Sequence, residues 1–200
     1  QTYLNSYVAH AAMETHTALA KVDGDKATVW VSTQSPFGAQ GEIAEAIGLP
    51  VQKVRVITPF VGGGFGGKSR GTQAVEAARL SKAVGKPVQV AWSRAEEFFY
   101  DTFRPAAIVK ISSGIDGSGK AVFWDYDVLY AGERGAAQFY AIPNHRTTAR
   151  SSGRQGGGAG QVFATGAWRA PGNNTNTFAR VSQIDIMAAA AGIDPVEFRL

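Results

Sequence analysis

The chain of 200 residues is 44% hydrophobic and 18% charged, which excludes intrinsic disorder as its overall state and suits one sizeable domain or two small ones. Its net charge of +4 comes from Lys and Arg residues no two of which are adjacent, so it reads as a mixed solvated surface and not as the basic stripe of a nucleic-acid binder. With no cysteine, the chain cannot itself hold an iron–sulfur cluster, a thiolate zinc site, a disulfide or a cysteine nucleophile, so any redox chemistry needs a borrowed cofactor.

In chain order, Thr17 to Val22 and Lys26 to Thr33 flank the turn Asp23-Gly24-Asp25 and predict a hairpin. Ser35-Pro36 predicts an N-cap and first-turn proline for a helix with Ile43, Ala44 and Ile47 on its apolar face, stopped by Gly48 and Pro50. Gln52 to Thr58 alternates as a strand, and the loop Pro59 to Gly71 carries six glycines in thirteen residues. Thr72 to Val84 has helical periodicity through Val75, Ala78 and Leu80; Pro87 to Trp92 reads as a strand and Ala95 to Tyr100 as a turn or two of helix. Ala107 to Ile115 and Lys120 to Tyr130 form a second predicted hairpin around Asp116-Gly117-Ser118-Gly119. Residues 132–160 are glycine-rich and predict no regular element. Thr175 to Ala191 predicts a helix with Phe178, Val181, Ile184 and Ala188 on one side, closed by Gly192.

Asp194-Pro195-Val196-Glu197 is a capping-box pattern, so another helix is expected to begin as the sequence stops. With an opening Gln-Thr-Tyr that carries neither initiator Met nor signal-peptide pattern, this reads as a fragment or excised piece. The longest apolar stretch, Ile186 to Ile193, is far short of the ~20 residues of a membrane span. A chain without thiols suits the bacterial cytoplasm and periplasm equally, and no compartment follows. Together the elements predict an α+β fold, a two-layer domain with a mixed sheet, hairpins and packed helices.

Residues 62–69, Gly-Gly-Gly-Phe-Gly-Gly-Lys-Ser, satisfy two patterns at once: G-x-x-x-x-G-K-S/T of a phosphate loop and G-x-G-x-x-G of a dinucleotide fold. The first needs a helix starting at Gly67-Lys68 and a magnesium-binding acid, for which Asp125 is the candidate. The second needs an acid at the end of the next strand, where Ser93-Arg94 stand instead. A tight glycine turn without a ligand is the third reading. His10, Glu14 and His16 could be assembled into a two-His-one-carboxylate metal site, against the plainer reading of hydrogen-bonded structural residues. Asn173-Asn174-Thr175 is a formal glycosylation sequon, and His145 has no evident partner.

Taken together, several segments in the same order carry a more specific resemblance. His10-Ala11-Ala12-Met13-Glu14, Val31-Ser32-Thr33-Gln34-Ser35-Pro36, Val54-Arg55-Val56, the loop Gly62 to Lys68, Gly166-Ala167-Trp168-Arg169-Ala170-Pro171-Gly172 and Ile184-Asp185 through Gly192-Ile193-Asp194-Pro195 run from about residue 7 to the end. In these the chain resembles the molybdopterin-binding large subunit of the xanthine dehydrogenase and aldehyde oxidase family, the molybdenum hydroxylases, and among them the isoquinoline 1-oxidoreductase beta-subunit type.

The resemblance implies that residues 1–200 are the first molybdenum-cofactor-binding half-domain of a larger subunit, lining one side of a molybdopterin site. It implies an oxidoreductase that hydroxylates an aldehyde or N-heteroaromatic carbon with water as oxygen source. Gly63, Gly64, Phe65 and Gly66 would approach the molybdenum centre, Gln34 would hydrogen-bond a terminal ligand of the metal, and Arg169 would line the cofactor or substrate side of the cavity. No residue would bind the metal directly, and the base, a glutamate in a later Gly-x-Gly-Glu segment, would lie outside this chain, which alone would be inactive. The remainder of the large subunit and an iron–sulfur subunit are the implied partners; no nucleic acid is. Ser69 replaces the glutamate of purine-binding relatives and no cysteine marks the Gly166–Arg169 loop as in carbon monoxide oxidisers, which argues against both substrates. Val181 stands where most relatives carry Glu. Against this stands a non-catalytic nucleotide- or phosphate-binding module built on the same glycine loop.

Overall fold

A computed structural model describes residues 1–150 and 161–200. The chain forms two compact units: an inserted unit, Ala9–Thr102, and a split unit built from Gln1–Val8 and Phe103–Leu200. The expected mixed sheet is accordingly two separate sheets of four strands, each with antiparallel pairs and one parallel pair.

In the inserted unit the first hairpin is present as β2 (Thr17–Asp23) and β3 (Lys26–Val31), after the short opening strand β1 (Thr2–Asn5) of the split unit. Helix α1 (Pro36–Ile47) starts on the proline and ends at left-handed Gly48. Ser35, expected to cap it through its hydroxyl, does not; its carbonyl instead accepts from Ala39 N–H at 2.9 Å. Strand β4 (Val54–Ile57) is shorter than expected because Val51–Lys53 form a 3₁₀ turn first, and it pairs parallel to β3. Helix α2 (Thr72–Val84), strand β5 (Val88–Ala91) and helix α3 (Arg94–Tyr100) complete the unit. The sheet runs β4-β3-β2-β5. One face, with Ala18, Ala20, Val29 and Val31, packs against Ala39, Ile43 and Ile47 of α1 and Ala74, Ala77 and Ala78 of α2. Each large aliphatic buried in this way contributes about 1.5–3 kcal/mol. Leu80, expected on the buried side of α2, is exposed, because alanines rather than leucine form the face that lies on the sheet.

In the split unit β1 pairs with β6 (Ala107–Ile115), which forms the second hairpin with β7 (Ala121–Leu129). The stretch expected to be irregular contains β8 (Asn144–Arg150), parallel to β7; the remainder of that expectation, 151–160, lies outside the described residues. Polar but for Ala149, β8 is tied by ion pairs Arg146–Asp125 at 2.5 Å and Arg150–Asp127 at 2.9 Å. Helix α4 (Asn173–Ala191) buries Ala179, Ile184 and Met187 against Val109, Ile111, Trp124, Tyr126 and Val128, and Ala188 is buried as well. Phe178, expected in that face, is exposed, and Val181 is half-buried. After Gly192 the capping residue Asp194 accepts from the N–H groups of Val196 and Glu197, and the turn that follows is 3₁₀.

Candidate functional site

The strand–helix junction after β3 and the glycine loop are joined in the inserted unit. Gln34 N–H donates to the Lys68 carbonyl at 2.8 Å, and the Thr33 hydroxyl donates to the same oxygen at 3.1 Å. The Gln34 side chain then turns over the loop, where its Oε1 accepts from Gly66 N–H at 2.9 Å. That bond fixes which way the exposed amide points, leaving its Nε2 donor without an acceptor among the described residues.

Two glycines are required by close approach. A Cβ on Gly64 would stand 2.4 Å from Gln34 Oε1, and one on Gly62 would stand 2.2 Å from the Cβ of Glu14. Phe65, with φ of 55°, projects its ring outward. Gly67 N–H donates to the Gly64 carbonyl and Glu14 N–H to the Gly62 carbonyl. By contrast, among the described residues the N–H groups of Gly62, Gly63, Gly64 and Phe65 donate to no protein acceptor. Four successive donors beside an oriented amide N–H₂, on a glycine run whose nearest side chains are those of Glu14, Gln34 and Phe65, offer hydrogen bonds suited to the oxygens of a large anionic cofactor.

Beneath the loop lies a layer of buried charge that sequence reading missed. The Lys68 side chain is only 1% exposed; its Nζ donates to the Val61 carbonyl at 2.6 Å and stands 3.7 Å from Glu14 Oε2. Burial pulls its pKa below the usual lysine value, against the opposing pull of Glu14. His16 Nδ1 lies 3.0 Å from Glu97 Oε1, with Trp92 stacked on its ring at 4.8 Å. Glu97 also pairs with Arg94, which bonds the Ala12 carbonyl. His10 Nδ1 lies 2.7 Å from Asp101 Oδ2. Glu97 reads in sequence as one more acid of a short surface helix; its partner His16 is 81 positions away and leaves no local signal.

These pairings dispose of two of the alternatives that the sequence left open and agree with the plainer reading of His10, Glu14 and His16 as hydrogen-bonded structural residues. His10, Glu14 and His16 each engage a different partner, and among the described residues no group of three metal-binding side chains comes together. The phosphate loop is not formed either. Gly67–Ser69 make a 3₁₀ turn, α2 begins only at Thr72, Lys68 points inside, and Asp125 is engaged by Arg146.

Arg169 belongs to the split unit. It is exposed, on a loop that lines an open cleft of about 850 Å³ with Arg104, Glu133, Arg134 and Asn174, but its own side chain is not in the lining. The Arg104 guanidinium lies 5.2 Å from the Trp168 ring centroid and bonds Asn174 Oδ1 at 3.1 Å. Thus Gln34 and Gly63–Gly66 are brought together within one unit, while Arg169 stands in the other. His145 Nδ1 lies 3.0 Å from the Ile142 carbonyl, and the sequon Asn173 opens α4. Among the described residues no helix is long and apolar enough to cross a membrane.

Known proteins show the same arrangement of sequence and chain. The molybdenum-binding subunit PaoC of the aldehyde oxidoreductase of Escherichia coli K12 is 34% identical over 206 residues, which is all of this chain and 28% of PaoC. The xanthine dehydrogenase molybdenum-binding subunit of Escherichia coli O157:H7 is 32% identical, over 99% of this chain and 28% of its own length. The chain therefore spans little more than a quarter of these curated relatives. In fold, all of it superposes on 27% of quinoline 2-oxidoreductase from Pseudomonas putida 86, with a TM-score of 0.83 at 22% identity. It likewise superposes on 23% of the aldehyde oxidoreductase of Desulfovibrio gigas, with a TM-score of 0.79 at 23% identity. The sequence matches the profile of the molybdopterin cofactor-binding domain over residues 1–200, and the chain belongs to that family.

Proposed function

We propose that the chain is the first cofactor-binding half-domain of a larger molybdenum-dependent oxidoreductase subunit, which oxidises an aldehyde or an N-heteroaromatic compound with oxygen from water. The chemistry that the cofactor supplies when bound is the two-electron oxidation of the substrate carbon. The loop donors of Gly62 to Phe65 would hold its oxygens, Gly64 leaves room for the Gln34 side chain over the loop, and Gln34 would donate through Nε2 to an oxygen of the bound group. The base is expected to be a glutamate outside this chain, elsewhere in the enzyme, and without cysteine the electrons leave through iron–sulfur clusters on another subunit. An aldehyde fits the name of the relative at 34% identity, and an N-heterocycle fits that of a nicotinate dehydrogenase of Pseudomonas putida, at 25% identity.

The observation that carries the reading is the Gln34 amide, oriented by Gly66 N–H and left with its donors uncommitted above a row of free N–H groups. Gln34→Ala in the complete enzyme removes that donor. Loss of such a partner costs ~10–100-fold in metal affinity or activity, or about 1.4–2.8 kcal/mol. The melting temperature of the apo-protein falls by no more than a few degrees, because the exposed Gln34 side chain gives up only its bond to Gly66 N–H. Unchanged turnover and molybdenum content would remove Gln34 from the site.

A further inference from the structure

Lys68 is the residue that a phosphate loop would turn toward its ligand, yet here its ammonium is spent inside the protein. Its Nζ reaches back seven residues to the Val61 carbonyl, at the point where the glycine run begins. Its own carbonyl holds both Gln34 N–H and the Thr33 hydroxyl at the other end. One residue therefore closes the loop into a ring and joins that ring to the strand end that carries Gln34. Glu14 supports the closure, with its carboxylate 3.7 Å from Nζ and its N–H bonded to the Gly62 carbonyl at 3.1 Å. The titratable and charged groups facing the ammonium are Glu14, Glu97 and Arg94.

We propose that Lys68 is a positioning residue: with Glu14 it clasps the glycine loop from below and so sets where Gln34 and the N–H groups of Gly62 to Phe65 stand for the cofactor. This rests on the proposed cofactor role of the loop. An ammonium is required, since only a cation long enough to cross the loop interior satisfies the Val61 carbonyl while answering the Glu14 carboxylate.

The test uses the complete subunit as wild type and as Lys68→Met, which keeps an unbranched apolar stem. Hydrogen exchange is followed at the amides that the clasp protects, Glu14, Gln34, Gly66 and Gly67, and at β2–β3 as an internal reference; molybdenum per polypeptide is measured on the same samples. In Lys68→Met the four amides are expected to exchange about tenfold faster or more, as a loss of about 1.4 kcal/mol gives, with the reference strands unchanged and molybdenum content reduced. Equal acceleration of loop and strands, unchanged loop exchange, or undiminished molybdenum overturns the proposal. Wild-type subunit that holds no molybdenum overturns the cofactor reading as well, which separates the two failures. If Lys68→Met does not fold, amine acetylation of the native wild-type subunit decides: Lys68 stays unmodified while exposed Lys53 reacts, and equal labelling of the two refutes the clasp.

Discussion

Gly64→Ala is the most local perturbation that the site offers. The new Cβ would fall 2.4 Å from Gln34 Oε1 and 2.7 Å from its Cδ, roughly 1 Å inside an ordinary carbon–oxygen contact of about 3.3 Å. The neighbour in the way is the end of an exposed, flexible side chain, so the amide swings into solvent and the backbone stays in place. The loss is the Gly66 N–H···Oε1 bond, a net cost of about 0.5–1.5 kcal/mol, or a fall of a few degrees in melting temperature for a chain of this size. Gly62→Ala provides the contrast. Gly62 has φ of 64°, and its Cβ would meet the Cβ of Glu14 at 2.2 Å, an atom fixed to its own backbone. The left-handed conformation alone costs about 1–2 kcal/mol, and relieving the overlap also breaks the Glu14 N–H bond to the Gly62 carbonyl. Thermal unfolding should therefore separate the variants, Gly62→Ala losing several times more stability. The Gly66 amide resonance should shift in Gly64→Ala while those of β2 and β3 stay put. In the complete enzyme, turnover should fall as far as in Gln34→Ala. Equal destabilisation by the two substitutions, or full turnover in Gly64→Ala, would refute the placement of Gln34 over the loop.

Tyr126 is fully buried with its hydroxyl on Asn176 Oδ1 at 2.8 Å, and burial pushes its pKa well above the ordinary tyrosine value. The unfolded chain loses this proton near pH ~10 while the native chain keeps it, so the stability it contributes is complete below that pH and is lost as pH rises further. The gap in unfolding free energy between wild type and Tyr126→Phe should shrink between about pH 8 and pH 11 in urea titrations; a constant gap would contradict this. Asn176, also fully buried, donates to the Gly132 and Arg134 carbonyls as well as accepting from Tyr126. Asn176→Ala should destabilise more than Tyr126→Phe, since each orphaned partner costs about 1–3 kcal/mol; denaturant midpoints compare the two. The reading of the chain as one side of the cofactor site predicts that the 200-residue chain alone retains no molybdenum, and stoichiometric metal by elemental analysis would count against it.

The hairpins and the helices α1, α2 and α4 were legible because each is written locally, as an apolar period closed by glycine. What escaped was written in pairs. β8 has no alternation to read, since Asn144 to Arg150 is held by parallel pairing and by Arg146 and Arg150 finding Asp125 and Asp127. β1 is four residues whose partner strand begins about a hundred positions later. The helix faces erred where small residues lie against a sheet: Ala74, Ala77 and Ala78 are buried while Leu80 is out, and Ala179 is buried while Phe178 is out. Size ranks a residue's gain from burial, but the spacing between helix and sheet decides which face can approach, and alanine admits the closest approach.

The glycine run shows the same division. Its composition said that a backbone must come close to something, and a phosphate loop, a dinucleotide fingerprint and a turn without a ligand all fitted the string. The direction of the lysine excludes the first of them. A phosphate loop holds its ligand with an outward ammonium, so a lysine at that position with 1% of its side chain exposed, bonded to Val61 and facing Glu14, cannot serve a phosphate without breaking its own loop. What the loop leaves without an acceptor among the described residues is backbone N–H and the Nε2 of Gln34, donors without formal charge. Such donors suit a broad cofactor with many oxygens, held along an edge, better than a compact polyphosphate that needs a cation at its end. The choice was made by a residue 34 positions upstream and by where one ammonium turned, and neither is visible in the eight residues of the motif itself.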